Sequence, residues 1–266
     1  MFGLKLGKSI GVKAENFYAL IDEAKSLGFD SVDVDYCACG FFFGEDDVTE
    51  SKKRMQYVVD SGLYFKGVHI PYGTEWDISV KDEESRRSVV ENVKRLISIC
   101  DPFQPFCYIL HGSFEPIMDC DRKAQLNSFI RSANELYAYT QTPIAMENLP
   151  RSCLLNTSEE ILKVQKKVRS LRLCVDLNHF LRELTEEAVQ ILAPYAITLH
   201  VSDHDYANER HWLPGAGKID WNKTLAALEA AGYNGAFNYE VNATLQEVKE
   251  NFDRLMEEYE GYKQSK

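Results

Sequence analysis

Residues 221–241, WNKTLAALEAAGYNGAFNYEV, contain a helix pattern followed by a strand pattern. Residues 221–231 have helical character, and Gly232 follows directly, where the end of a helix needs a left-handed backbone. The run Ala236–Val241 is apolar and aromatic, as strands covered on both faces are. Residues 25–29, KSLGF, resemble residues 229–233, EAAGY, at an earlier helix end. The unit therefore recurs in the chain.

The same alternation extends over all 266 residues. The predicted strands are Phe2–Leu6, Ser31–Asp35, Phe65–Ile70, Phe106–His111, Pro143–Glu147, Leu171–Asp176, Ile197–Val201 and Ala236–Val241. The predicted helices are 14–27, 46–61, 81–100, 121–140, 158–169, 185–193, 221–231 and 245–260. Two helix starts, Thr157-x-x-Glu160 and Thr244-x-x-Glu247, have the pattern of a capping box.

Eight strand–helix units predict an α/β fold, a (β/α)₈ TIM barrel, which typically needs about 250 residues. An open doubly wound sheet is the main alternative. Eight units is long for such a sheet, and the Gly-x-Gly-x-x-Gly fingerprint after the first strand is missing. We therefore expect residues 1–266 to form a single TIM-barrel domain.

Charge and composition restrict the partners and the compartment. Acids outnumber bases 41 to 30, giving a net charge of −11, which disfavours a general nucleic-acid coat but leaves a local basic patch open. No apolar run approaches the roughly 20 residues that span a bilayer, and the N-terminus lacks a signal-peptide pattern. The seven cysteines are scattered without a Cys-x-x-Cys, as reduced thiols are. We expect a soluble cytoplasmic protein with no membrane partner.

Ionisable residues concentrate at the predicted C-terminal strand ends, where a barrel enzyme builds its site. A single acid or histidine there is usually a helix cap or a structural residue. Here, however, seven of the eight predicted strands end in an acid or a histidine. Four of the six histidines, His69, His111, His179 and His200, lie at or just after such ends, and His211 lies in the long loop after the seventh strand. Accidental placement would also scatter these residues over helix faces.

Four of these side chains predict a metal site. Converging carboxylates repel one another and lose hydration, and a divalent cation removes that penalty. The predicted ligands come from adjacent strands five to eight: Glu147, Asp176, His200 and Glu240. Three carboxylates and one imidazole suit Mn²⁺, Mg²⁺ or Co²⁺, with Zn²⁺ also compatible. Further ligands, substrate contacts or orienting groups are expected among His69, His111 and His179.

The chain resembles the xylose isomerase-like TIM barrel superfamily, especially its sugar phosphate isomerase/epimerase group. The resemblance covers essentially the whole chain, in order. The matching pieces are His69-Ile70-Pro71, His111-Gly112, Glu147-Asn148, Asp176-x-x-His179, His200-Val201-Ser202-Asp203, residues 211–221 (HWLPGAGKIDW) and Glu240.

The resemblance implies a metal-dependent isomerase or epimerase of a small sugar or sugar phosphate in carbohydrate metabolism. Glu147 and Glu240, besides binding the metal, would move the proton beside the substrate carbonyl through an enediolate. The reaction needs Mn²⁺, Co²⁺, Mg²⁺ or Zn²⁺ and no organic cofactor. Relatives often pair, so a homo-oligomer is an expectation. The expected substrate contacts are His69, His111, His179, His211 and Trp212.

Loop residues suggest how a sugar could be held. The turn at Gly215 and Gly217 could bind a phosphate, or it could simply lead the chain to a helix capped at Asp220. Aromatic side chains suit the apolar side of a sugar ring. Candidates for such a wall are Tyr72, Trp76, Trp212 and Phe41–Phe43.

Other functions stay open. Abasic-site endonucleases of the superfamily bind three zinc ions, and His69, His111 and Glu209 would then be extra ligands, with Glu209 where an aspartate is usual, and abasic DNA the partner. The net charge and the isomerase-like segments Glu147–Pro150 and Pro214–Gly217 argue against this function. A polyol (inosose-type) dehydratase is another alternative, because an enediolate also permits β-elimination of water. A sugar-binding barrel without turnover would not need both glutamates.

Overall fold

The computed structural model describes residues 3–36, 43–168 and 170–266, which form a closed barrel of eight parallel strands in chain order. The strands are β1 Lys5–Gly11, β2 Ser31–Asp35, β3 Tyr64–His69, β4 Cys107–His111, β5 Ile144–Glu147, β6 Arg172–Asp176, β7 Ala196–Val201 and β8 Ala236–Tyr239. The main helices are α1 Phe17–Ser26, α2 Glu45–Ser61, α3 Glu83–Cys100, α4 Asp119–Tyr139, α5 Ser158–Gln165, α6 Thr185–Leu192, α7 Trp221–Ala230 and α8 Leu245–Gln264. The predicted TIM barrel is confirmed.

The first strand differs from its prediction. The sequence pattern put it at Phe2–Leu6, but β1 continues to Gly11 and pairs with β2 from Gly7 opposite Ser31 to Gly11 opposite Asp35. Hydrogen bonding to β2 on one side and to β8 on the other, rather than apolar character, defines this strand. Gly7 is needed for closure, because a Cβ there would lie 2.7 Å from the Ser31 hydroxyl and 2.8 Å from Asn238 Oδ1.

Only one of the two predicted capping boxes is complete. Thr244 accepts from the Glu247 N–H, and the Glu247 carboxylate accepts from the Thr244 N–H. The Thr157 hydroxyl likewise accepts from the Glu160 N–H. The Glu160 carboxylate, however, accepts from Arg122 at 2.6 Å and from the Leu155 N–H at 2.6 Å. A tertiary ion pair thus replaces the second half of that box.

The interior of the barrel is small and polar. Its apolar part is a separate cluster of Cys107, Ile109, Ala145 and Cys174, while most of the core lies between the strands and the helices. Buried polar side chains complete the interior: Ser31, Asp33, Thr198 and Asn238. Such an interior supplies polar groups beneath the site rather than the usual branched apolar layers.

Lys66 closes the N-terminal end of the barrel. The pairing register shifts at Lys66 in β3 and at Ile197 in β7. The Lys66 ammonium donates to the Ile197 carbonyl at 2.6 Å and lies 3.9 Å from the centre of the Phe106 ring. Lys66 also lines a cavity of about 690 Å³ at this end, together with the first residues of several strands.

Two smaller findings concern the expected compartment. No helix among the described residues is long and apolar enough to cross a membrane. The cysteines that the structure describes are all free thiols: Cys100, Cys107, Cys120, Cys153 and Cys174. Cys37 and Cys39 lie outside the described residues.

Candidate metal centre

Four side chains at the C-terminal mouth of the barrel form the candidate centre. Glu147 and Asp176 end β5 and β6, His200 lies near the end of β7, and Glu240 follows β8. One ligand atom from each lies within 4.8 Å of those of the other three. His200 Nδ1 is 3.2 Å from Glu147 Oε1, 3.1 Å from Glu240 Oε2 and 3.7 Å from Asp176 Oδ2. The structure thus brings together the four predicted ligands, whose binding of an ion stays a prediction.

Burial makes the charges of this ring interdependent. Burial raises the pKa of Glu147, but His200 and His111 outweigh it and hold that pKa well below its usual range. Burial also raises the pKa of Glu240, and His200 again outweighs it. For Asp176 the effect of burial exceeds the opposing effects of His179 and His200, so its pKa is raised. Burial lowers the pKa of His200, but the neighbouring acidic groups raise it well above its usual value.

The donor set fits a divalent cation. Imidazole protons offset much of the negative charge of Glu147 and Glu240, and a cation in their midst would replace those protons. Within the described residues, Asp176 Oδ2 is buried and has no hydrogen-bond partner. An unpaired carboxylate oxygen aimed at two further carboxylates is the arrangement that an ion would satisfy. The set can therefore hold a cation that prefers oxygen and imidazole ligands.

Three more histidines surround Glu147 and Asp176. His69 Nε2 and His111 Nε2 lie 3.0 and 3.2 Å from Glu147 Oε2. Burial lowers the pKa of His69, but the hydrogen bond to Glu147 and the negative charges of Glu147 and Asp35 together outweigh burial and raise the pKa to about 9. His179 Nδ1 donates to the Asn148 carbonyl at 2.8 Å and lies 3.6 Å from Asp176 Oδ2. A second group that could hold an ion consists of His69, Glu147 and His200.

The loop after β7 covers one side of the ring. Glu209 Oε2 pairs with Arg151 at 2.9 Å, and its Oε1 lies 3.5 Å from His179 Nε2. His211 Nδ1 donates to the Glu240 carbonyl at 3.1 Å. Among the residues that the structure describes, neither Glu209 nor His211 belongs to a group of three close ligand atoms, nor does His111. The predicted extra ligands His111 and Glu209 thus lie near the ring, and their binding of an ion stays a prediction.

A cavity of about 270 Å³ opens above the ring. Its lining includes the predicted substrate contacts His69, His111, His179 and His211, together with Glu147, Glu209 and Glu240. Tyr72 stacks on His111 with ring centres 5.3 Å apart, and Phe114 extends this aromatic wall.

The other predicted aromatic residues do not form this wall. The described residues that line the cavity do not include Trp212, which is 40% exposed and whose backbone pairs with Asp203. Trp76 is buried against Phe43, with ring centres 6.1 Å apart. Phe41 and Phe42 lie outside the described residues. Tyr72 is therefore the predicted aromatic residue that lines the cavity.

The glycine turn after β7 binds a side chain of the protein itself. The buried Asp203 carboxylate accepts from the N–H groups of Gly215, Gly217 and Ile219 at 2.9, 3.0 and 3.2 Å, and from the Trp221 indole at 2.9 Å. A Cβ on Gly217 would lie 2.3 Å from Asp203 Oδ1. These N–H groups already donate to Asp203, so the suggestion that this turn binds a phosphate is wrong. Asp220 caps α7 as expected, accepting from the Lys223 N–H.

Sequence reasoning missed two charged groups near the ring. The Lys8 ammonium donates to the carbonyls of Ser9 and Val241, both at 3.1 Å; burial lowers its pKa, and the charges of Glu240 and Asp35 oppose that shift. Lys8 lies within β1, where no motif marks it. The second group, Asp33 in β2, is fully buried beneath His200. Its position two residues before Asp35 on β2 was the available signal, because alternate strand residues share a face.

The chain belongs to the xylose isomerase-like TIM barrel family, because the model of that family matches residues 21–258. An uncharacterized protein of Methanocaldococcus jannaschii is 23% identical over 159 residues, and the match spans 58% of this chain and 62% of that relative.

Solved structures share the fold. A D-tagatose 3-epimerase-like protein has a TM-score of 0.79 at 19% identity, covering 97% of this chain and 99% of that one. The D-psicose 3-epimerase of Clostridium cellulolyticum has a TM-score of 0.74 at 18% identity, covering 97% and 98%. The 3-keto-D-glucoside 4-epimerase of Escherichia coli has a TM-score of 0.71 at 19% identity, covering 95% and 99%.

Proposed function

We propose that this protein is a divalent-metal-dependent sugar isomerase or epimerase whose acid–base residues are Glu147 and Glu240. One observation carries the proposal: both glutamates belong to the same four-residue ring and line the same cavity. Binding alone does not require two carboxylates that can each exchange a proton with the bound molecule. The three solved structures named above support the same reaction class, because two are sugar epimerases and the third is described as similar to one.

Each residue of the ring has a proposed task. Glu147 and Glu240 are held ionised by His200, so either can accept the proton beside the carbonyl. Epimerisation uses both carboxylates, one on each side of the carbon, whereas isomerisation can return the proton from the same group. His211 donates its Nδ1–H to the backbone, which leaves Nε2 for a substrate hydroxyl. A bound cation would supply Lewis-acid stabilisation of the developing oxyanion.

The proposed substrate is a small unphosphorylated ketose. The amides of the glycine turn are occupied by Asp203, which removes the phosphate contact that the sequence suggested. Tyr72 and Phe114 would face the apolar side of the sugar, and His179 and His211 its hydroxyls. A single domain spanning 1–266, a cytoplasmic location and a homo-oligomer remain proposals.

A metallohydrolase acting on abasic DNA is the second candidate. It is favoured by one observation: His69 and His111 both contact the same oxygen of Glu147, so Glu147 could bridge two ions. Against it, Arg151 neutralises Glu209, and the net charge of −11 disfavours DNA. Within the described chain, neither His111 nor Glu209, two of the extra ligands that this function would need, belongs to a group of three close ligand atoms.

One experiment separates these candidates. The purified protein is stripped with a chelator, reloaded with Mn²⁺, Co²⁺ or Zn²⁺, and assayed against a panel of ketoses, cyclic polyols and an abasic duplex. We expect about one ion per chain and interconversion of a ketose. Loss of water from a polyol would make the protein a dehydratase. Three zinc ions with cleavage of the abasic strand would overturn the proposal in favour of the hydrolase.

A further inference from the structure

The Asp33 carboxylate lies in the barrel interior, between the metal-binding ring and the N-terminal cavity. Asp33 is fully buried, and neither of its oxygens has a hydrogen-bond partner within the described residues. The missing side chain of Gly67 leaves room beside it, because a Cβ there would lie 3.1 Å from Asp33 Oδ1. A buried carboxylate without partners is unfavourable for folding, so its presence needs another explanation.

The atom that faces Asp33 is equally unpartnered. His200 Nε2 is buried, has no hydrogen-bond partner in the described part of the chain, and lies 3.9 Å from Asp33 Oδ2. The other ring nitrogen, Nδ1, is the one that lies among Glu147, Asp176 and Glu240. The ring of His200 stacks on His69 with centres 5.3 Å apart and an angle of 18°. Stacking restrains the plane of the ring, so the two nitrogens keep their separate environments.

Lys66 provides a positive charge for Asp33 without occupying its oxygens. The ammonium donates to the Ile197 carbonyl, and its charge acts on Asp33 from the N-terminal side. No direct ion pair between Asp33 and Lys66 occurs in the described structure at 4.0 Å or less. Burial raises the pKa of Asp33 to about 6, and the charges of His200 and Lys66 oppose that shift. Lys66 donates no hydrogen bond to Asp33, so both Asp33 oxygens remain available to His200 within the described structure.

We propose that Asp33 is a positioning residue that accepts the Nε2–H of His200 and so fixes Nδ1 as the metal-binding nitrogen. A neutral imidazole has one N–H and one lone pair, so a proton kept at Nε2 directs the lone pair of Nδ1 at the three carboxylates. Metal-binding histidines commonly donate their other N–H to a carboxylate, and losing that partner weakens metal binding by about 10–100-fold. The inference rests on the cation site of the proposed function.

The Cys174 thiol also interacts with the His200 ring. Sulfur is a weak hydrogen-bond acceptor, so this thiol is a poor substitute for a carboxylate at Nε2. Asp33 is the carboxylate on that side of the ring, while the other three carboxylates lie at Nδ1.

The test compares Co²⁺ affinity, measured by competition with a chromogenic chelator, in the wild type, Asp33→Ala, Asp33→Asn and Ser31→Ala. Ser31 is the matched control: it is two residues away on β2, buried, and also unpartnered within the described residues. We expect about 10–100-fold weaker binding in Asp33→Ala, a smaller loss in Asp33→Asn, whose amide oxygen still accepts, and no change in Ser31→Ala. Thermal unfolding checks that each variant folds.

A spectroscopic readout separates positioning from a general structural effect. In the Zn²⁺-loaded protein, ¹⁵N NMR of the histidines should report the Nε2–H tautomer of His200 and a slowly exchanging Nε2 proton. That slow exchange should be lost in Asp33→Ala, which has no acceptor, and reduced in Asp33→Asn, whose neutral amide oxygen accepts more weakly, even where the fold is intact. Equal Co²⁺ affinity in the wild type and Asp33→Ala overturns the role of Asp33 alone. A wild type that binds no divalent ion overturns the proposed function and this inference together.

Discussion

The two ends of the barrel handle buried charge in different ways. At the C-terminal mouth, Glu147, Asp176 and Glu240 face one another and are compensated by the protons of His69 and His200. At the N-terminal end, the single ammonium of Lys66 is satisfied by a backbone carbonyl and an aromatic ring. The histidine protons that offset the carboxylate charges at the mouth can be replaced by a metal cation. The carbonyl and the aromatic ring that hold the Lys66 ammonium cannot be replaced in this way. Ligand chemistry is therefore expected at the mouth, whereas Lys66 at the opposite end is expected to contribute mainly to stability.

The largest effect should follow from removing one carboxylate at the mouth. Glu147→Gln keeps the shape of the side chain but cannot take up a proton, so ketose turnover should fall by about 10²–10⁴-fold. Initial rates measured at saturating Mn²⁺ or Co²⁺ check this. Glu187→Gln, an exposed change on α6, is the matched control and should keep full activity. Wild-type rates in Glu147→Gln would remove the proton-transfer role.

The pH dependence of metal binding tests whether protons compensate the mouth. The pKa of His69 is raised to about 9 and that of His200 is raised as well, so both carry protons at pH 7 without metal. A cation must displace such protons, and its affinity should rise between pH 7 and 9 by about tenfold per pH unit for each proton released. Calorimetry in two buffers of different ionisation enthalpy counts the protons. A pH-independent affinity would contradict the account.

The raised pKa of His69 also makes the stability of the folded protein depend on pH. Because the pKa of His69 is about 9 in the folded protein and 6.5 in the unfolded one, its contribution is present below pH 6.5 and lost as the pH rises through 9. The melting temperature of the metal-free protein should therefore fall across this range.

Gly217→Ala tests a part of the mouth that does not depend on exchangeable protons. There the Asp203 carboxylate is held by hydrogen bonds from the backbone N–H groups of residues 215–219. A Cβ on Gly217 would lie 2.3 Å from Asp203 Oδ1 and 2.4 Å from the His204 carbonyl. Overpacking of this kind should lower the free energy of unfolding by about 1–3 kcal/mol. Gly261→Ala in α8 is the control, since a Cβ there meets no described atom within 4 Å and favours the helix. Equal denaturation midpoints for the two variants would contradict the packing seen around Asp203.

Lys66→Met should have the smallest effect on turnover. The variant leaves the Ile197 carbonyl without its donor, which should lower the free energy of unfolding by about 1–3 kcal/mol. Turnover of the metal-loaded enzyme should stay within about threefold of wild type, because Lys66 lies at the end opposite the ring. Denaturant unfolding and initial rates check the two halves. A loss of turnover as large as in Glu147→Gln would abolish the distinction between the two ends.

The sequence was most informative where a strand ends in a charged residue. Glu147, Asp176, His200 and Glu240 could be predicted as neighbours, because the C-terminal ends of parallel strands meet at one edge. The continuation of β1 to Gly11 could not be predicted, because Gly7 and Ser9 lack apolar character and Gly7 is required by close packing against Ser31 and Asn238.

Long-range contacts were beyond the sequence pattern. Lys66 appears as an ordinary strand residue, and only the register shifts in β3 and β7 bring it to the Ile197 carbonyl. The Gly215–Gly217 turn resembles an anion cradle, yet Asp203, which fills it, lies more than ten residues earlier. Spacing identifies groups that can bind a ligand, but it cannot tell whether the protein itself supplies that ligand.

The central claim is that Glu147 and Glu240 exchange a proton with a ketose beside its carbonyl. The most direct measurement is ¹H NMR of a ketose panel in D₂O. The protein is loaded with Zn²⁺ or Mg²⁺ and kept free of Mn²⁺, whose unpaired electrons broaden the signals. The account predicts deuterium at the carbon beside the carbonyl, appearing together with the epimer or isomer, and its loss in both Glu147→Gln and Glu240→Gln. Product formed without deuterium incorporation, or no exchange with any ketose by fully metal-loaded protein, would contradict it.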